Sequence, residues 1–223
     1  MGILLTETTM SIAERKTREK QKRINAILDA AEEVFFGSDG LTASMDEVAS
    51  LAEVSKGTLY LYFKNKESLY LGIGVRANKV ALDYLQIGIN RGEKGIDKVL
   101  EAVKSYNEFA RKYPHYFRLK SFSDEIANRP FREGSDDPQM DLCMESGMAC
   151  GRALAGAIES GILDGTIRSD IDPMTTTLLI WSQSNGVIKL IESKGMHLKE
   201  RMGIDPDKLF EAFQKFVHRS IAA

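Results

Sequence analysis

SMDEVASLAEVSKGTLYLYFKNK, residues 44–66, decides how the rest of the chain is read. It describes two short helices, a tight turn and the start of a third helix. Ser44 is a helix cap, and Glu47, three residues on, completes a capping box. Met45, Val48, Ala49 and Ala52 then fall at i, i+3, i+4 and i+7, one apolar stripe on about two turns of helix. Glu53 and Val54 break that helix. Ser55 caps the next one, and Val54 with Leu59 has the spacing of a hydrophobic staple. Leu59 and Phe63, four apart, point inward together. Gly57, Thr58 and Leu61 then face outward, with Tyr60 and Tyr62 on the flanks and Lys56 at the rim. Glycine in a first helical turn lowers helix stability. It suits a helix whose N-terminal end must come close to another surface, as a recognition helix does in the DNA major groove.

The longer run GLTASMDEVASLAEVSKGTLYLYFKNKESL resembles the helix-turn-helix of the TetR family of transcriptional regulators. The matching features are Gly40-Leu41, Val48-Ala49, the run Val54 to Tyr60, and Tyr62-Phe63-Lys64-Asn65-Lys66-Glu67. The close match covers roughly residues 20–75; beyond it only length and helical periodicity agree. Asp46 departs from the family, whose members often carry a more polar or basic residue there. A carboxylate is repelled by phosphates, so no DNA contact is assigned to Asp46.

The 223 residues carry a formal charge of −2, with 43% hydrophobic and 28% charged residues, an ordinary soluble composition. Overall charge does not announce a nucleic-acid binder. Basic residues are local: Arg15, Lys16, Arg18, Lys20, Lys22 and Arg23 crowd at a helix start. Alone they describe a solvated helix end; beside a helix-turn-helix they describe a basic arm on phosphates. The opening MGILLTETTM is too short and polar for a signal peptide core. No run approaches the length of a bilayer span, so a membrane is excluded and a cytoplasmic location is expected. Cys143 and Cys150 lie seven apart on one predicted helix, about 10 Å along its axis and too far to bridge.

In chain order, residues 1–16 read as a flexible arm. A helix from about Thr17 to Phe36 carries Ile24, Ile27, Leu28, Ala31, Val34 and Phe35 on one stripe, and Gly37-Ser-Asp-Gly40 ends it. Asn65 caps a long fourth helix, about 66–89, with Lys66 at its first position. A cation there is disfavoured by the helix dipole, but a bound phosphate accounts for it. A fifth helix runs from about Ile96 and ends before Pro114, and a sixth spans 115–126. A polar loop follows, then a seventh helix at 138–160. A connector, GILDGTIRSDIDP, resembles one common in the TetR family. An eighth helix extends from Pro173 to about Ser193, and a ninth from Pro206 to Ile221. The expected fold is all-α, about nine helices: an arm (1–16), a helix-turn-helix domain (17–72) and a helical bundle (73–223).

Neither a catalytic motif nor metal-ligand spacing among His115, His197 and His218 is present, so an enzyme, a cofactor and a metal site are not expected. Tyr106, Phe109, Tyr113, Phe117, Phe122, Met144, Met148 and Trp181 describe either a filled core or the lining of a small-molecule cavity. The TetR resemblance implies the cavity, for an apolar or aromatic effector. The eighth and ninth helices are apolar on more than one face, which requires more than one partner. The resemblance implies a homodimer interface there, assigned to Ile188, Ile191, Phe210, Phe213 and Val217.

The expectation is therefore a ligand-responsive, homodimeric repressor of a palindromic double-stranded operator. Lys56 and Thr58 are its base-edge residues, with Gly57 permitting close approach. Ser44, Tyr60, Tyr62 and Lys66 are its phosphate contacts. Two alternatives stand beside it: an all-α enzyme with its site in the C-terminal bundle, and a helical adaptor that has lost DNA binding.

Overall fold

The computed structural model describes residues 11–37, 44–119 and 137–223. These are helical nearly throughout: α1 (Ile12–Gly37), α2 (Met45–Leu51), α3 (Lys56–Tyr62), α4 (Lys66–Arg91), α5 (Gly95–Lys112), α6 (114–119 as described), α7 (Pro138–Leu163), α8 (Pro173–Met202) and α9 (Pro206–Ile221). The all-α expectation holds. Among the described residues the one departure from helix pairing is an isolated antiparallel bridge, Ile167 with Ala222.

Contacts divide the chain into two compact units, Met1–Ile73 and Gly74–Ala223. In the first, α1 packs on α2 and α2 on α3. Its interior is built from Ile27, Leu28, Ala31 and Phe35 of α1, Val48 and Ala49 of α2, and Leu59 and Phe63 of the α3 segment, all buried. These are the apolar stripes visible in the sequence.

In the second unit, Val99, Val103, Tyr106 and Phe109 of α5 meet Leu154 and Ile158 of α7, Ile180 and Ile188 of α8, and Phe210, Phe213 and Val217 of α9. α5 and α7 cross backbone to backbone. A methyl group added to Gly95 would lie 2.0 Å from the Gly161 nitrogen, and one added to Gly161 would lie 2.4 Å from Ile167. The connector after α7 is pinned at this crossing. The Asp164 carboxylate accepts hydrogen bonds from the Gly95 N–H (2.7 Å) and the Thr166 hydroxyl (2.6 Å). The chain end closes over the connector, with the Arg168 N–H donating to the Ile221 carbonyl at 3.0 Å.

The structure corrects several boundaries. α1 starts at Ile12 rather than near Thr17. Ser11 and Glu14 form a capping box, in which the Ser11 N–H donates to Glu14 (2.7 Å) and the Glu14 N–H to the Ser11 hydroxyl (3.2 Å). α8 continues past Ser193 to Met202 and stops at Gly203, at φ 67°. Gly195 lies inside it, where a Cβ would meet Pro206, at the start of α9, at an ordinary contact distance of 3.4 Å. Ile188, Phe210, Phe213 and Val217 are buried in the chain's own core, and Ile191 is half-buried against it. The apolar side chains left exposed on these helices are others, among them Leu178, Leu179, Leu190 and Phe216.

Candidate nucleic-acid interface

The expected caps form. The Glu47 N–H donates to the Ser44 hydroxyl at 3.2 Å, and the Ser44 N–H donates back to the Glu47 carboxylate at 2.8 Å. α2 then ends in a Schellman motif: the Val54 N–H reaches the Ala49 carbonyl (3.0 Å) and the Glu53 N–H that of Ser50 (3.2 Å). Glu53 takes the left-handed conformation at this turn, φ 54°. Ser55 starts α3 by accepting the Thr58 N–H at 3.1 Å. The helix pair is thus fixed at every end by its own side chains and backbone.

The buried side of α3 is Leu59, with Phe63 just after it. The opposite side presents Lys56, Gly57, Tyr60 and Leu61, the last 83% exposed, with Thr58 and Tyr62 half-buried at the edges. A Cβ on Gly57 would meet only the Ser55 hydroxyl, at 3.9 Å. Among the described residues nothing requires glycine at this position.

The polar candidates are already engaged within the chain. The Thr58 and Ser55 hydroxyls share a hydrogen bond of 2.8 Å. The Lys56 ammonium lies 2.5 Å from the Asp46 carboxylate, an ion pair joining the first turns of α2 and α3. Lys66 stands over two rings, 5.4 Å from the Phe35 centroid and 5.7 Å from that of Tyr70, which stack on each other at 4.4 Å. The arrangement is a cation–π clamp. Asn65 caps α4 by accepting the Ser68 N–H at 2.8 Å.

A cleft lies beside this surface. Arg15, Lys16, Lys20 and Arg23 line it with Ile12, Glu19 and Tyr62. The helical N-terminal stretch therefore sets its cations one turn apart along α1, on the side that meets Tyr62. Sequence reading found the basic cluster but not this geometry; the Ser11/Glu14 capping box was the available signal.

In the second unit the candidate effector residues separate into two groups. Tyr106, Phe109 and Phe117 are buried, and with Tyr84, Tyr113 and Tyr116 they form a connected set of ring contacts with centroids 5.7–6.3 Å apart. Trp181 packs half-buried against the same core. Met144 and Met148 instead lie exposed on α7. Phe122 lies outside the described residues. Polar groups absent from the sequence-based lining accompany the rings: the Tyr106 hydroxyl donates to Asn185 at 2.9 Å. The Thr177 hydroxyl is buried without a hydrogen-bond partner among the described residues.

A preorganised helix-turn-helix with an outward glycine-bearing helix and a flanking basic cleft defines a DNA-binding transcriptional regulator. The model of bacterial regulatory proteins of the tetR family matches residues 27–73, the segment that holds the helix-turn-helix. It is 25% identical over 182 residues to the HTH-type transcriptional regulator RutR of Escherichia coli K12, covering 81% of this chain and 80% of that one. A tetR-family regulatory protein from Rhodococcus RHA1 superposes with a TM-score of 0.65 at 19% identity, over 91% and 98% of the two chains. The regulator FadR of Bacillus subtilis, solved with stearoyl-CoA, gives 0.58 at 16% identity, over 89% and 97%.

Proposed function

We propose that the protein is a homodimeric repressor that holds a palindromic operator until a small effector enters its helical bundle. The observation that carries the DNA half is Gly57: an exposed first-turn glycine with no internal packing reason, on a helix otherwise capped and anchored. Lys56 and Thr58 read base edges beside it, and Leu61 offers a methyl-sized apolar contact. Ser44, Tyr60, Tyr62 and Lys66 take phosphates, joined by the basic residues of the α1 cleft. One short helix reads few base pairs, so two copies on a palindrome supply the specificity. The exposed Leu178, Leu179 and Phe216 on α8 and α9 are the apolar surface for that pairing.

The effector half rests on the aromatic set around Tyr106 and Phe109. Its rings favour an apolar or aromatic compound, and the Tyr106–Asn185 pair adds one place for a polar handle. That a protein of this fold holds stearoyl-CoA supports an internal ligand. α4 is one uninterrupted helix from Lys66 to Arg91, so displacing its later turns moves its first. A ligand weakens operator binding only by its preference for the altered state; tenfold release needs about 1.4 kcal/mol. The protein is expected to act in the cytoplasm. The test is a gel shift on the DNA immediately upstream of its own coding region. A retarded band competed by that DNA and not by random duplex is expected; no preference for it overturns the reading as an autoregulating repressor.

A further inference from the structure

Asp46 is an acidic residue of the helix-turn-helix whose charge opposes DNA, and the structure shows it engaged with a lysine. Its carboxylate holds the Lys56 ammonium at 2.5 Å, with the two side chains 59% and 61% exposed. Both therefore stand in solvent at the first turns of α2 and α3, on the surface a duplex would approach. Neither side chain is needed for the fold. The α2 start is secured by Ser44 and Glu47, the α3 start by Ser55, and the helices are held by Val48, Ala49 and Leu59 beneath. An exposed pair of this kind is weak, worth at most about a fivefold equilibrium factor.

We infer that Asp46 is a specificity-determining residue that stands in for a DNA phosphate: it keeps Lys56 off the backbone of unmatched DNA and yields it only to a matched site. The inference rests on the DNA-binding reading above. A lysine on phosphate strengthens binding to every sequence equally, because the contact carries no base information. A carboxylate beside it removes that uniform gain and adds repulsion of its own. On a matched site the lysine is offered a base-edge acceptor as well, and a weak pair is easily exchanged for it. Specificity is a difference of affinities, and Asp46 raises it by lowering the affinity for wrong sequences.

The test needs no operator. A fluorescent mixed-sequence duplex of about 20 bp is titrated by anisotropy with full-length wild type, Asp46→Asn, Lys56→Ala and the double variant, at about 50 and 200 mM KCl. Asp46→Asn is expected to bind about three- to tenfold tighter at the lower salt. One added phosphate contact steepens the salt slope by about 0.9, so that advantage shrinks about 3.5-fold at the higher salt. In the Lys56→Ala background the same change adds no slope. Asp46→Glu keeps the charge and is expected to titrate like wild type. Asp46→Ser repeats the neutralisation with a good helix-start residue, and thermal melts confirm that each variant is folded. An unchanged slope for Asp46→Asn and Asp46→Ser overturns the inference, as does an equal gain with Lys56 absent. Failure of all four proteins to bind any duplex at low salt sinks the DNA-binding reading itself, a distinct result.

Discussion

Gly57 separates stability from function at a single position. Its neighbourhood leaves room for a methyl group, and its φ is not in the left-handed region. Gly57→Ala is therefore expected to raise stability by about 0.5–1 kcal/mol, read by denaturant melts, because alanine restricts the unfolded chain and favours helix. The same variant is expected to bind operator more weakly, because the added carbon stands where the groove floor comes closest. Thr58 and Lys66 are expected to fail differently. Thr58→Ala should lower discrimination at one base position by about 1–3 kcal/mol in a competition assay. Lys66→Ala should weaken all sequences alike and flatten the salt slope by about one charge. Residue roles fixed by local spacing were legible in the sequence: Ser44 with Glu47, Ser55 with Thr58, Leu59 with Phe63. The pairs Lys56–Asp46 and Lys66 over Phe35 were not, since each depends on how two helices cross rather than on separation along the chain.

Most helix starts were legible from local signals, although the Ser11/Glu14 capping box that opens α1 was not used. Asp172 and Asp205 cap α8 and α9 by accepting backbone N–H groups, each followed by proline in the first turn, and these starts fall where the sequence puts them. α8 passes through Gly195 despite an intrinsic helix preference against glycine of about 1 kcal/mol, and it ends at Gly203, which takes the left-handed conformation at φ 67°. The connector after α7 depends on a partner distant in sequence. The Thr166 hydroxyl and the Gly95 N–H hold the Asp164 carboxyl below the ordinary carboxylate range. A group whose folded value is depressed contributes stability above its unfolded value, about 3.9, and loses that contribution as pH falls through the folded value. Asp164→Asn is therefore expected to melt below wild type at pH 7. The gap should stay constant down to about pH 5 and close as the wild-type carboxyl protonates below about 4. A gap independent of pH in scanning calorimetry would assign the loss to packing of the connector and not to the charge.

At the scale of the whole molecule, surplus apolar surface on the last two helices was readable from composition, but not which residues supply it. Helical periodicity places Phe213 and Phe216 on one helix without saying which side the chain covers itself. The structure separates them: Phe213 is 7% exposed within the bundle core, whereas Phe216 is 58% exposed. On α8, Ile188 is likewise inside and Leu179 outside. A charge at an inward position is buried without a partner, which costs several kcal/mol and exceeds much of a domain's net stability. A charge at an outward position stays hydrated in the single chain and is buried only if a second copy covers it. Phe213→Asp is thus expected to give misfolded or insoluble protein. Phe216→Asp and Leu179→Asp are expected to give soluble monomers with the wild-type helical signal, measured by light scattering beside circular dichroism. Those monomers should also bind a palindromic duplex far more weakly than wild type while keeping their half-site contacts, since joining two modules converts the second contact into an intramolecular one. Soluble dimers of the Leu179→Asp, Phe216→Asp double variant would move the two-fold axis to another face of the bundle. Operator binding by a folded monomer at wild-type strength would remove the need for pairing altogether.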